Sequence, residues 1–456
     1  MPIGALNSPL SKKGYTTPEM EAIWSESRSL QRILDVESAL VKVQASLGVV
    51  PAQAASAIAK AAQVTPELVE RVEAGKVGNP LVAALDALRA QVPADARGWV
   101  HYGATSQDIL DTARGLQIHE GIDRLLGLLS TLDEAVSALA VEHADTVMVA
   151  RTNGQYALPT TLGMRFARWL GELRRAESRL QQVRARAELI QFSGAAGTYA
   201  SMGAQGEEVS RQLAAELGLV FEEIPWHASR DGITELCCDC ALLGQTLAKC
   251  AEDLFDMQQS DIAEAHESMD AHSSGSSTMP QKLNPFTTMK ISVGARLATN
   301  LAAGVLTQPP GSFERDHRQL EVERDAVPQI FVAIDGALVK LINLIPRLSF
   351  DRQTLEAKVN AGGVLLVTEA IMMSFAKSIG QERAHDLLQS FAKEHRQSNI
   401  SLRGFLESQP GLLEELGSVD LESLEDPRNY LGLSRDISMR VGRKNPHEAT
   451  SGESKQ

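Results

Sequence analysis

Residues 161–192, TLGMRFARWLGELRRAESRLQQVRARAELIQF, contain no proline, and Leu162, Phe166, Trp169, Leu173, Leu180, Val183 and Ile190 fall mostly at three- and four-residue spacings or their multiples. That period predicts one helix of about nine turns, roughly 48 Å long at about 1.5 Å per residue. Similar patterns cover 120–146 and 234–267, with further ones at 286–305 and 328–345, and strand-like alternation is scarce. Several long helices joined by short breaks predict an all-α fold, an extended bundle whose members run antiparallel.

Three regions follow. Residues 1–112 read as an N-terminal helical domain, with a helix at 28–48, a break at Pro51 and shorter helices to about residue 92. Residues 113–350 read as the central long-helix bundle. Residues 351–456 read as a C-terminal helical domain, with helices at 362–379 and 382–396 and a polar tail, HEATSGESKQ, expected to fray. No internal repeat is present.

At 456 residues the chain can bury a large core. Its net charge of −14 argues against a nucleic-acid partner, while leaving room for a local basic pocket that takes an acidic small molecule. Cys237, Cys238, Cys240 and Cys250 lie in a helical pattern without the spaced pairs of a zinc site, so they read as core thiols in a reducing, cytoplasmic setting and no metal is expected. GAAGTYASMG at 194–203 lacks the strand-then-helix context of a dinucleotide site, and no cofactor is expected. No apolar run follows Lys12 and Lys13, and no uninterrupted apolar run approaches the roughly 20 residues that span a bilayer, so no membrane partner is expected.

Three stretches interrupt the helical pattern: HYGATSQDILDTA (101–113), ARTNGQYALPTTLG (150–163) and HSSGSSTMPQKLNP (272–285). Each sits where a helix begins or ends. Thr105, Ser106, Ser276 and Ser277 are good capping types, so capping is the plain reading of any one stretch. The third is too long for a cap and has the composition of a functional lid. Gly275 permits an unusual backbone, Lys282 supplies charge, and Pro285 stands at a helix start; exposed N–H groups beside a lysine make an anion cradle.

The run GSSTMPQKLNP closely resembles the signature loop of the fumarase/aspartase superfamily, with Gly275, Ser276, Ser277, Met279, Pro280, Lys282, Asn284 and Pro285 at the family's positions. The other two stretches match the superfamily's remaining blocks in order and spacing, so the resemblance covers nearly the whole chain. It implies a homotetramer whose long central helices form a twenty-helix core, with each active site drawn from three subunits. It also implies a chemistry: a proton is taken from the carbon next to a carboxylate, an aci-carboxylate dianion forms, and a leaving group departs, usually giving fumarate. By the same resemblance Ser276 is the base, and Lys282 and Asn284 receive the new charge. Thr105, Ser106 and Gln107 bind a substrate carboxylate, Thr152 and Gln155 hold the substrate, and Ser277 and Met279 belong to its binding site. The physics agrees, because so weakly acidic a proton requires preorganised donors and cations at the developing charge. A serine base requires a positive, dehydrated setting, which a closing loop supplies.

Two branches compete. GNP at 78–80, the first block, GAAGT at 194–198 and PWHASRD at 225–231 resemble 3-carboxy-cis,cis-muconate cycloisomerases. GYTTPEMEAIW at 14–24, FERD at 313–316, ERD at 323–325 and DPRNYLGL at 426–433 resemble adenylosuccinate lyases. Asn153 stands where adenylosuccinate lyases have a general-acid histidine, Gly14 where they have a phosphate-binding arginine, and Tyr156 where the cycloisomerases have a histidine. An amide cannot act as a general acid, so His101 and Tyr156 are the candidates for that role. Arg315 and Arg324 read either as carboxylate binders or as exposed ion-pair residues, and His227 either as a pocket residue or as a structural one. The expectation is a lyase of the cycloisomerase-like branch acting on a substituted succinate or related small polycarboxylate. A lactonizing cycloisomerase, an adenylosuccinate lyase-like C–N lyase and a non-catalytic, crystallin-like structural protein are the alternatives; Ser276, Lys282 and Asn284 together argue against the last.

Overall fold

The computed structural model describes residues 4–74, 80–268 and 278–443. In chain order its main elements are α1 (Glu26–Ser46), α2 (Ser106–Glu142), β1 (Val147–Thr152), β2 (Gln155–Thr161), α3 (Leu162–Ala187), α4 (Asp231–Met257), β3 (Ala265–Glu267), α5 (Phe286–Leu306), α6 (His317–Leu344), β4 (Leu348–Phe350), α7 (Arg352–Gly362), α8 (Thr368–Ile379) and α9 (Gln381–Ser398). The fold is all-α in class. Among the described residues its only sheets are two antiparallel pairs, β1–β2 and β3–β4.

The long helices differ from the sequence expectation at their ends, each for a local reason. α2 begins at Ser106 rather than near 120, because Asp108 caps the helix start: the Thr105 N–H donates to Asp108 Oδ2 at 2.9 Å, and the Asp108 N–H donates to the Thr105 carbonyl at 3.0 Å. The first block is thus itself a helix start. α3 stops at Ala187, since Glu188 and Ile190 exchange backbone bonds with Val220, at 2.8 and 3.0 Å, and Ile190 is buried from an extended segment. α4 ends at Met257, and the remainder of the predicted 234–267 helix turns into β3. α6 starts before Pro328 and carries it inside.

The second block is a β-hairpin, not an irregular break. Thr152 pairs with Gln155 across Asn153 and Gly154, whose φ angles are 52° and 78°. Two consecutive left-handed residues make the tight turn that suits the twist of paired strands, and Asn-Gly adopts it most readily.

The chain forms two compact units. The first comprises Met1–Thr131, Arg175–Glu252 and Phe286–Asn343. Its core includes Leu34, Leu40, Ile58, Leu68, Leu81, Leu88, Ile109 and Leu213, contributed by α1, the short helices after it, α2 and the helix before α4. The second comprises Leu132–Arg174, Asp253–Pro285 and Leu344–Gln456. Val367, Ile371, Phe375, Phe391 and Phe405 form its larger cluster, and Val149, Val359 and Leu366 seat β1 against α7.

Two stretches, His317–Arg347 and Arg352–Ile379, are long and apolar enough by composition to cross a bilayer. Neither is an uninterrupted apolar run: Asp335 and Lys340 interrupt the first, and Glu369 and Lys377 the second. The apolar window of the first is mostly buried in the protein. Cys237, Cys240 and Cys250 are buried, and burial pushes the Cys240 thiol up to about 12, as suits neutral core thiols. Gly275, Ser276, Ser277 and the polar tail lie outside the described residues.

Candidate active site

In the first unit, the N-terminus of α2 presents Thr105 and Ser106 to one arginine. Arg315 donates from Nη1 to Thr105 Oγ1 at 2.6 Å and from Nη2 to Ser106 Oγ at 3.0 Å. Hydroxyls that accept from a guanidinium can rotate to donate to an incoming carboxylate, which the same guanidinium can also bind. The first-turn N–H groups of a helix add positive potential there. These groups together have the chemistry of a carboxylate clamp.

Buried charge fixes the clamp from beneath. Asp108, fully buried, accepts from the N–H of Thr105 at 2.9 Å, of Gly194 at 3.1 Å and of Ser193 at 3.2 Å, and its Oδ1 lies 2.8 Å from His227 Nε2. His227 is therefore a positioning histidine, engaged at Nε2 by Asp108 and itself buried. Gln107 Nε2 donates to the His227 carbonyl at 2.9 Å and to Asp111 Oδ2 at 3.0 Å, and Gln107 Oε1 is buried without a hydrogen-bond partner among the described residues. Below lies a buried ion cluster. Arg230 bonds both Asp111 oxygens, at 2.8 and 3.0 Å, and both Glu323 oxygens, while Arg114 reaches Glu323 at 2.8 Å. Burial alone would raise the Asp111 carboxyl, but the Arg230 and Arg114 guanidinia hold it below its usual range. The same carboxylates hold Arg230 charged against its own burial.

His101 occupies a tight turn just before the clamp. Its φ is 66°, its Nδ1 lies 2.7 Å from Glu37 Oε1, and its N–H donates to Glu37 Oε2 at 3.1 Å. Gly103, at φ 76°, is required there, because a Cβ would lie 2.4 Å from Met202 Sδ. A buried carboxylate on Nδ1 orients the ring and leaves Nε2 for other work.

In the second unit, the hairpin tip exposes Thr152, Asn153, Gln155 and Tyr156. Arg151 pairs directly with Tyr156 across the strands, its guanidinium 5.3 Å from the ring centroid. Arg151 donates to both oxygens of buried Glu264, at 3.0 and 2.5 Å, and Lys358 reaches the same carboxylate at 3.2 Å. Of the third block, Met279 and Lys282 are exposed, Asn284 is half-buried, and Pro285 stands directly before α5. The Lys282 N–H donates to the Met279 carbonyl at 3.0 Å. Arg324 is placed differently from Arg315: it pairs with Glu321 at 3.1 Å in an exposed contact along α6 and makes no bond to the clamp hydroxyls.

Sequence reasoning missed Glu37, Asp108, Arg230 and Glu264. Thr-x-x-Asp at 105–108 was a readable capping signal for Asp108. Glu264 carried none, since its partner Arg151 stands 113 positions away in the chain.

A sequence profile of the family described as Lyase matches residues 12–296, and one described as Adenylosuccinate lyase C-terminus matches residues 365–441. The chain is 35% identical to the 3-carboxy-cis,cis-muconate cycloisomerase of Bradyrhizobium diazoefficiens, over 95% of its own length and 97% of the relative's. It is also 35% identical to the adenylosuccinate lyase of Methanocaldococcus jannaschii, over 93% of each. The crystal structure of 3-carboxy-cis,cis-muconate lactonizing enzyme from Pseudomonas putida matches with a TM-score of 0.85 at 33% identity, covering 98% of this chain and 100% of that one. Motif blocks, fold and relatives converge, and the chain belongs to the fumarase/aspartase superfamily of lyase and cycloisomerase enzymes.

Proposed function

We propose that the enzyme catalyses anti β-elimination, or the reverse addition, on a substituted succinate or related polycarboxylate, with fumarate as the product of elimination. The observation that carries this reading is the clamp, in which Arg315 bonds Thr105 and Ser106 at the start of α2. It offers two hydroxyls, a guanidinium and helix N–H groups to one carboxylate. Gln107, whose buried Oε1 has no hydrogen-bond partner among the described residues, supports the same edge of the site.

In this scheme Ser276 takes a proton from the carbon beside the second carboxylate. The electron pair moves onto that carboxylate, where Lys282, Asn284 and the loop amides hold the added charge. The pair then returns to form the double bond, and the bond to the leaving group breaks with its electrons. Thr152, Gln155, Ser277 and Met279 hold the substrate. The active form is a cytoplasmic homotetramer with shared sites. Leu242 on α4 and Met289, Val293 and Leu306 on α5 support this assembly, as large apolar side chains left exposed on long helices.

The test is a panel: fumarate with a set of amines, then 3-carboxy-cis,cis-muconate, then adenylosuccinate, followed by fumarate or muconate absorbance. Gain or loss of fumarate supports β-elimination. Turnover of the muconate alone would replace that reading with lactonization, and no change with any compound would favour a structural role. Ser276→Ala is expected to abolish turnover with the tetramer intact, and retained activity would overturn the mechanism.

A further inference from the structure

We infer that Tyr156 is the proton donor to the departing atom and that Arg151, held by Glu264, is the positioning residue that fits it for this. The inference rests on the β-elimination reading above and supplies the step that reading leaves open.

Asn153 cannot be the donor. Its amide has no proton to give at neutral pH, and its φ of 52° commits it to the hairpin turn. Tyr156 has both the chemistry and the setting. Val147, Val149 and Arg151 alternate onto one face of β1, and the two valines pack with Val359 of α7. Arg151 follows them toward Glu264 and Lys358, and Tyr156, directly opposite in register, shares that face. A register shift between the Val149 and Arg151 pairs creates this match: Val149 pairs with Pro159 and Arg151 with Tyr156, so β2 carries an extra residue there. Such bulges re-aim side chains, and they recur next to active sites.

Arg151, beside the phenol, belongs to a cluster of opposite charges. Arg151 and Lys358 bond Glu264, and half-buried Arg165 on α3 feels both Glu264 and Asp253. Three cations thus face two carboxylates. The Arg151 guanidinium is held above its usual range: burial opposes this, and the bonds to Glu264 together with the Tyr156 oxygen outweigh it. A phenolate formed beside this cluster therefore has a cation already in place, with little reorganisation at the moment of transfer.

The step balances. Ser276 takes the carbon-bound proton, the carbon–carbon double bond forms, and the bond to the leaving atom breaks with its electron pair. That pair takes the Tyr156 hydroxyl proton, leaving a phenolate that solvent reprotonates.

The test uses the full-length enzyme and 2-substituted succinates whose leaving atom carries no extra proton in solution, N-arylaspartates and 2-aryloxysuccinates with ring substituents that grade leaving-group basicity. Tyr156→Phe is expected to lower kcat by about 10²–10⁴ on the most basic leaving groups, with KM held within about threefold, and far less on the least basic. The slope of log kcat against leaving-group basicity should steepen. Arg151→Met should steepen the slope too, and Arg151→Lys, which keeps the cation, should recover part of it. A purely structural Arg151 would lower thermal stability and leave the slope unchanged, which would overturn its role. If the wild type makes fumarate and Tyr156→Phe matches it in kcat and slope, this inference alone fails. If the wild type makes fumarate from none of the series or the panel, the β-elimination reading fails and takes the inference with it.

Discussion

The carboxylate clamp and the hairpin tip are built on opposite plans. Behind Thr105 and Ser106 stand Asp108 and His227, then Gln107 and Asp111, then Arg230, Arg114 and Glu323, with Asp108, Asp111, His227, Arg230 and Glu323 all buried. Behind Thr152, Asn153, Gln155 and Tyr156 stand a two-residue turn and Arg151, tied to one buried carboxylate, Glu264, that Lys358 also reaches. The difference follows from what each would meet. In the proposed function Thr105, Ser106 and Arg315 meet a carboxylate, and a rigid clamp for it can be built deep and kept. In the same proposal the hairpin tip meets the leaving group, and an exposed tip can change its residues without disturbing a core. Asn153 and Tyr156, the two departures from the family pattern in the second block, both fall on that exposed tip.

Removing the deepest support of the clamp should have the largest effect. Arg230→Met leaves Asp111 and Glu323 buried beside Arg114 without their bidentate partner, and breaking such a cluster costs about 3–5 kcal/mol. The loss should depend on pH. Asp111 is depressed in the folded state, so its contribution is present above its ordinary value of 3.8 and is lost as pH falls through the lower folded value. Without Arg230 the carboxyl rises, and acid unfolding should begin at higher pH than in the wild type. Denaturant midpoints at pH 7, 5 and 4 measure both effects. A variant as stable as the wild type at each pH would break the contrast between a deep clamp and a shallow tip.

Next in size is the clamp itself. Arg315→Met should leave the fold intact and lower kcat/KM by about tenfold to a hundredfold, the effect of losing charge-assisted bonds of about 1.5–3 kcal/mol. Arg315→Lys should recover only part, since an ammonium cannot span both hydroxyls as the guanidinium does. Asp108→Asn keeps the shape but weakens the cap on the Thr105 N–H and the tie to His227. It should cost about 1–2 kcal/mol of stability and raise KM more than it lowers kcat. Equal KM in the wild type and Asp108→Asn would show that the clamp does not depend on this support.

The two regions also differed in how far the sequence disclosed them. The long helices were legible because a 3.6-residue apolar period accumulates over many turns, and the signature loop was legible as a family motif. The start of α2 was readable in principle from Thr-x-x-Asp at 105–108, a local signal placed inside a block that otherwise has no period. The hairpin was hidden because its strands are too short for alternation to stand out between long helices, although Asn153–Gly154 is a strong turn signal by itself. The ion cluster and the Arg151–Glu264 tie were not legible at all. Asp111 and Arg230 are 119 positions apart, and Arg151 and Glu264 are 113 apart, so only the folded chain brings them together.

The smallest effect tests the tip most sharply. If Asn153 serves the turn, any residue that tolerates a positive φ will replace it. Asn153→Gly should then keep stability within about 0.5 kcal/mol and kcat within about twofold, because glycine enters the left-handed region freely. Asn153→Ala should cost about 1–2 kcal/mol of stability, the ordinary strain of a Cβ at that φ, and should also spare kcat in the molecules that remain folded. Thermal melts and kcat measured on the same preparations separate the two effects. A loss of kcat beyond about tenfold in Asn153→Gly, at unchanged stability, would mean that the amide itself touches the reaction. The tip would then hold two chemical groups, Asn153 and Tyr156, where the turn geometry calls for one.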